Sequence, residues 1–388
     1  MDRSDLLLVS LGGGGNRLAD TIMNVDQRFH GLFINTSITD IESLENYNPL
    51  TKNFMCISQQ NGVGRNRKIG KGYAEQYSMS IAEKIMKYQQ ETIYLISSLG
   101  GGSGSSILTT TLQVLQDLKN EEAFDKIINL ICIIPDIKSP SIILENALET
   151  WDEIFQYKKL INSMIFIDNS AEVANASNAN DKELLINERF AELFDSIFDI
   201  PDYNGVNFDN GNLGNVLKDK GCLYIYDLPS GKGSIEIAMR KSEQNSVLAK
   251  IYKSEKNTVT VDNENLMRVG YMGISLNDEN YDADSLLENY AIRREPYIGG
   301  NEEKNLVLIS GCLPPNYTME VIELELDDRS KNDDDDTTDI IYHKSFSKNK
   351  NNKAKETLNK TTPSERNDIS SSNKKLKKVM KKNLFKRD

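Results

Sequence analysis

Apolar and polar positions follow two periods along the first 170 residues. Short, nearly continuous apolar runs fall at residues 5–10, 31–35, 53–58, 92–97, 128–134 and 163–168. Runs of this length predict strands of a parallel sheet covered on both faces. Between them, Ala74, Tyr77, Ile81, Ile85 and Tyr88 recur at steps of three and four, predicting an amphipathic helix over 74–88. The alternation predicts a doubly wound, mostly parallel α/β sheet. A helix is predicted over 181–199, where Ile186, Phe190, Leu193, Phe194 and Ile197 form one broad stripe and Pro201 marks the end. From 221 the texture changes. Residues 223–226, 234–239, 266–274, 306–312 and 320–326 read as strands of a second, smaller α+β domain. The expected organisation is a first domain at 1–180, a central helix at 181–200, a second domain at 201–328 and a disordered tail at 329–388.

The tail rests on charge as well as pattern. Residues 344–388 hold fifteen Lys/Arg against four acids, a charge of +11, whereas the whole chain is −12; the remainder is therefore −23. A body that acidic does not suit direct, sequence-specific DNA binding over a broad face. Residues 344–372 are mostly Lys, Asn, Ser and Thr and cannot offset their chain entropy by burial. In 374–388, Leu376, Val379, Met380, Leu384 and Phe385 recur on one face among lysines, a basic amphipathic segment suited to an acidic partner.

Composition removes several chemistries. The four cysteines are widely spaced, without C-x-x-C, and only His30 and His343 supply imidazole. Zinc sites and histidine-based triads are therefore not expected. No apolar run approaches the length of a bilayer span, and no signal peptide is evident, so a cytoplasmic protein without a membrane partner is expected.

Two glycine runs carry the candidate chemistry. Gly12, Gly13, Gly14 and Gly15 follow the apolar run 6–9 and precede a helix expected over 16–28. Gly100, Gly101, Gly102, Ser103 and Gly104 follow a run that stops at Ser97 and precede a helix expected from Ser105. Strand, glycine loop and helix N-terminus in that order form an anion cradle of backbone N–H groups. There is no G-x-x-x-x-G-K-[ST], which argues against a P-loop ATPase. The first run fits G-x-G-x-x-G only loosely, with Asp40 and Glu42 as ribose acids. An NAD-dependent oxidoreductase built on it leaves the second run without a role.

The full set of segments resembles the tubulin/FtsZ superfamily of GTPases over roughly residues 5–312. Gly100-Gly101-Gly102-Ser103-Gly104-Ser105 is similar to that family's GGGTG[ST] signature, and Leu11 to Asn16 to its first phosphate loop. Asn35 lies in an Ile34-Asn35-Thr36 segment similar to the family's second loop. Gly64, Arg65 and Asn66 occupy the place of the loop that senses the γ-phosphate. Glu145 stands at the acidic position of the ribose-side segment. Asn169, in Ile167-Asp168-Asn169, and Asn187 on the central helix stand where the family reads guanine. Asn207 and Asp209 match the loop that one subunit inserts into the next subunit's site; Asn212 replaces its second acid.

The resemblance implies a GTPase holding GTP or GDP with Mg²⁺, in which Asp209, helped by Asn207 and Asn212, completes the site of a neighbouring copy. The divergent sequence and long basic tail look most like the plasmid- and phage-borne TubZ branch. That branch implies a head-to-tail filament moving DNA through a centromere-binding adaptor held by the tail. A cell-division FtsZ is the alternative within the family.

Overall fold

The computed structural model describes residues 1–58, 61–204, 207–230, 233–262, 264–276, 281–300 and 304–335. In chain order the elements begin β1 (Leu6–Leu11), α1 (Gly12–Val25), β2 (His30–Asn35), α2 (Ile38–Glu42), β3 (Phe54–Cys56), α3 (Arg67–Met86), β4 (Thr92–Ser98) and α4 (Gly102–Asn120). They continue β5 (Ile127–Ile134), α5 (Ser141–Gln156), β6 (Ile161–Asp168), α6 (Ala179–Ser196), α7 (Ile200–Asn204), α8 (Asn210–Lys218) and β7 (Gly221–Leu228). The last are α9 (Ile235–Asn245), β8 (Thr258–Val261), β9 (Glu264–Val269), β10 (Met272–Leu276), α10 (Ala283–Leu287), β11 (Tyr290–Ile292), β12 (Pro296–Gly300), β13 (Asn305–Cys312) and α11 (Asn316–Asp335).

Residues Met1–Leu326 form one compact unit. Its main sheet runs β12-β10-β13-β7-β6-β5-β4-β1-β2-β3, and a small sheet runs β11-β9-β8. All pairings from β3 through β7 are parallel, whereas β13 is antiparallel to both β7 and β10. The strands β1, β4 and β5 are buried almost throughout, as expected where helices cover both faces. Helix α6 crosses β4 through an aromatic cluster: the Tyr94 and Phe194 rings meet edge to face at 5.4 Å, and Phe29, Phe190 and Phe198 surround Phe194. Arg3 ties this end of α6 down, its buried guanidinium 2.7 Å from Asp199 and also bonded to Asp195. Among the described residues, no helix is long and apolar enough to cross a membrane.

Several expectations are corrected. Residues 234–239 are not a strand but the start of α9, burying Ile235, Ala238, Met239 and Ser242 at helical steps. Residues 320–326 are likewise helical, within α11, where Met319 and Ile322 are buried and Leu324 is 62% exposed. The single strand expected over 266–274 is two, β9 and β10, because the chain changes sheets at Gly270, whose missing Cβ makes room for the Asp219 carboxylate. Pro201 does not stop the chain's helical course. It opens α7, after a 3-10 turn over Ile197–Asp199, where its missing N–H is no loss. Helices α1 and α4 begin at Gly12 and Gly102, so most of the glycines lie inside first helical turns rather than before them. Helical order continues to Asp335, beyond the expected start of the tail at 329. The amphipathic segment 374–388 lies outside the described residues.

Candidate functional site

The order β3-β2-β1-β4-β5-β6 places β1 beside β4, at the position where the winding of the sheet reverses. Ligands of such sheets bind outside the strand C-termini at this switch point, because the two departing connections leave a crevice between them. Here those connections are the two glycine runs.

They are pressed together backbone to backbone. Gly12 has φ 71°, and a Cβ there would lie 2.5 Å from both Cα and N of Gly104; one on Gly104 would lie 2.5 Å from Leu11 O. A Cβ on Gly102 would meet the Arg65 carbonyl carbon at 2.5 Å, so the 62–66 segment closes the third side. Only glycine permits these approaches. Gly13 and Gly101 are different: their nearest prospective neighbours are 3.5 and 3.8 Å away. The N-caps of α1 and α4, Leu11 and Gly101, provide no side-chain cap. The first-turn N–H groups of both helices are thus available to an anion, which the helix dipoles favour.

A cleft opens over these turns, lined by Gly14, Ser98, Gly100 and Gly101 at one end and Asn169 and Asn187 at the other, with Arg17 and Arg65 contributing positive charge. Asn169 donates its backbone N–H to Ile134 O at 3.1 Å, but its Oδ1 is buried without a partner. An orphaned acceptor costs desolvation energy unless a ligand supplies N–H groups. Guanine, with adjacent ring and exocyclic donors, is suited to it. Burial raises the pKa of neighbouring Asp168. Burial acts the same way on Asp136, but the Lys182 ammonium at 2.7 Å outweighs it and holds that carboxyl below its usual range.

The other expected binding residues surround the cleft in supporting positions. Asn16 is buried; with its amide nitrogen turned inward it donates to Ser10 O at 3.0 Å. Asn35 donates to Asp40 at 3.2 Å, and Thr36 and Ser103 share a 2.6 Å hydroxyl contact that links the second loop to the second glycine run. Asn66 caps α3 by accepting from Ile69 N at 3.1 Å, and Gly64 has φ 56° with open space beyond it. Ser105 is fully buried, bonding Gly101 O and accepting from Arg67, so its hydroxyl holds the loop rather than facing the cleft. Glu145 is exposed on α5; its neighbour Asn146 is the residue that turns into the loops. Arg17, Ser98 and Asn146 were outside the expected set, since an isolated arginine, serine or asparagine carries no periodic signal.

Asp209 lies on the side of the sheet where the strands begin, opposite the cleft. It is the N-cap of α8, accepting from Asn212 N at 2.8 Å, while Asn212 Nδ2 reaches Asn207 O at 3.3 Å. Phe208 pegs the loop into the core, buried against Gly273 and the Tyr297 ring, so Asn207 and Asp209 are left exposed. The far end of α8 meets the starts of β5 and β6: Asn129 and Asn162 donate to Leu217 O and Lys218 O at 3.2 and 3.0 Å. The cleft sits at the other ends of those strands. Strands β5 and β6, eight residues each, set the distance between at about 25 Å.

Residues 5–176 match the Tubulin/FtsZ family, GTPase domain. The Tubulin-like protein TubZ of Clostridium botulinum C phage is 25% identical, covering 85% of this chain and 85% of its own. A tail-truncated TubZ of Clostridium botulinum phage c-st has the same fold, with a TM-score of 0.72 at 23% identity over 85% of this chain and 99% of that one. A GTPγS-form protofilament of Bacillus thuringiensis serovar israelensis TubZ gives 0.66 at 15% identity, covering 85% of this chain and 92% of that one. The switch-point cradle thus lies within residues 5–176, the stretch of this chain that matches the GTPase domain of the Tubulin/FtsZ family.

Proposed function

We propose that this protein binds and hydrolyses GTP in a cleft completed by a second copy, and that its copies assemble head to tail into TubZ-type filaments that segregate plasmid or phage DNA. The observation that carries this reading is the placement of Asp209 on the side of the strand N-termini, about 25 Å (the length of the eight-residue strands β5 and β6) from the cleft at their C-termini, so that a chain's own acid cannot reach its own phosphates. The protofilament form of the Bacillus relative supports it.

In this reading the first-turn amides of α1 and α4 hold the phosphates, Arg17 and Arg65 offset their charge, and Asn169 and Asn187 select guanine. Asp209 of the incoming copy orients the attacking water, with Asn207 and Asn212 shaping its loop, and positioning supplies most of the acceleration. Mg²⁺, when bound with the nucleotide, would offset phosphate charge. Among the described residues no group of three His, Cys, Asp or Glu converges, which suits an ion held chiefly by phosphate oxygens and water.

Specific GTPase activity should rise steeply with protein concentration; a constant value down to high dilution would refute completion between copies. Asp209→Asn keeps an acceptor for the α8 cap but loses the charge, so it should bind GTP normally and hydrolyse it at least about a hundredfold more slowly. Deleting 374–388 should leave hydrolysis intact and abolish recruitment of a DNA-bound adaptor. Loss of a membrane adaptor instead would favour the FtsZ-type role, and displacement of labelled GTP by NAD would favour the dehydrogenase.

A further inference from the structure

Helix α5 carries a polar stripe on a side that packs against the loops of the cleft. Asn146, Glu149, Thr150 and Glu153 recur at helical steps and so share one face. Asn146 is buried, and its Nδ2 donates both to Arg65 O and to Gly100 O, each at 3.1 Å, joining the 62–66 segment to the second glycine run. Thr150 Oγ1 donates to Leu99 O at 3.0 Å. Farther along, Glu149 and Glu153 each accept from the Arg67 guanidinium at 2.8 Å, and Lys71 Nζ lies 2.5 Å from Glu153. Arg67, its side chain only 4% exposed, gives its remaining Nε–H to Ser105 Oγ at 3.0 Å. Ser106 Oγ in turn donates to Arg67 O at 2.9 Å.

Beside this network, Arg65 stands in the left-handed region with φ 63°. A non-glycine residue persists there only where its surroundings hold it, and such residues gather at functional sites. What holds Arg65 is Asn146 on its carbonyl and the Arg67 anchor two residues on. Held in this way, Arg65 lines the cleft beside Gly100 and Gly101.

We propose that Arg67 and Asn146 are positioning residues that fix Arg65 against the second glycine run, and so set how tightly the cleft holds the polyphosphate of its nucleotide. Neither residue lines the cleft, whereas Arg65 does, so the effect of both on the nucleotide passes chiefly through Arg65. This rests on the guanine-nucleotide reading of the cleft. The charge-paired fork of Arg67 is not replaceable by lysine, which offers no planar bidentate geometry.

The test is fluorescent-GTP titration with Mg²⁺ on the full chain, beside thermal melting. Arg67→Met should weaken GTP binding about ten- to a hundredfold, the loss that follows removal of hydrogen bonds to charged groups. Arg67→Lys should recover melting temperature more than affinity. In an Arg65→Ala background, Arg67→Met should lower affinity by less than about threefold more, because the two act in series. Asn146→Ala and the milder Glu149→Gln give the same comparison if Arg67→Met does not fold, and both should weaken binding. Variants that melt lower yet bind GTP as the wild type does overturn the positioning role, as does full additivity with Arg65→Ala. A wild-type chain that fails to bind GTP overturns the nucleotide reading itself, and this proposal with it.

Discussion

The two glycine runs do different jobs at different positions, and paired substitutions separate them. Gly12→Ala places a side chain at φ 71°, which costs an L-residue about 1–2 kcal/mol. Its Cβ would also stand 2.5 Å from the Gly104 backbone, overpacking that costs about 1–3 kcal/mol more. Together these come to about 2–5 kcal/mol. In a unit of 326 residues each kcal/mol lowers the melting temperature by about 2 °C, so a fall of about 4–10 °C is expected. Gly101→Ala makes the opposite case. Its φ of −77° and ψ of 151° are ordinary for alanine, and the nearest prospective contact is Ser98 O at 3.8 Å. Stability should change by less than about 0.5 kcal/mol. Yet the new methyl stands in the cleft, where it should weaken GTP binding at least about tenfold, or about 1.4 kcal/mol. Differential scanning fluorimetry and fluorescent-GTP titration read the two effects. The reasoning fails if Gly101→Ala binds GTP at wild-type strength, or if Gly12→Ala melts with the wild type.

Asn169→Ala removes a buried oxygen that has no partner, so it should leave melting within about 0.5 kcal/mol of wild type while reducing GTP affinity about tenfold. Equal loss in a competition series against inosine and xanthosine triphosphates would count against a role in reading the base. Glu153 tests the α5 network through pH. Burial alone would raise its pKa, but hydrogen bonds from Arg67 and Lys71 more than reverse this and hold it below its ordinary value. Its contribution to stability is therefore complete above the ordinary carboxylate pKa and lost as pH falls through the lower folded value. Acid titration of melting temperature should show Glu153→Gln less stable than wild type near neutrality, with the gap closing in acid; a constant gap would refute the assignment.

The parallel sheet was legible because its strands are buried on both faces and read as unbroken apolar runs. Period failed where windows were short. In 234–239, Ile235, Ile237 and Met239 alternate as in a strand, yet Ile237 is 56% exposed and the buried set continues to Ser242 at helical steps. In the site, the glycine runs stood out because few residue types let backbone amides close around an anion, whereas Asn169 and Asn187 were singled out through the family resemblance alone. Arg67 and Asn146 did not stand out. A charged or amide stripe on a helix reads as a solvated face, and only tertiary packing turns it inward against loop carbonyls.

Helix α6 carries Asn187 at its middle, and its second half leads through α7 toward Asp209 at the start of α8. Its length is therefore a ruler. Adding or deleting one residue would turn everything beyond it by about 100° and shift it about 1.5 Å. Phe208 would leave its seat beside Tyr297 while Asn187 stayed in the cleft. Exposed side chains along such a rod, Leu184 among them, are free to diverge. Insertions and deletions are not, and in descendants of this gene they should accumulate in the connections around α6 and leave its count of residues alone.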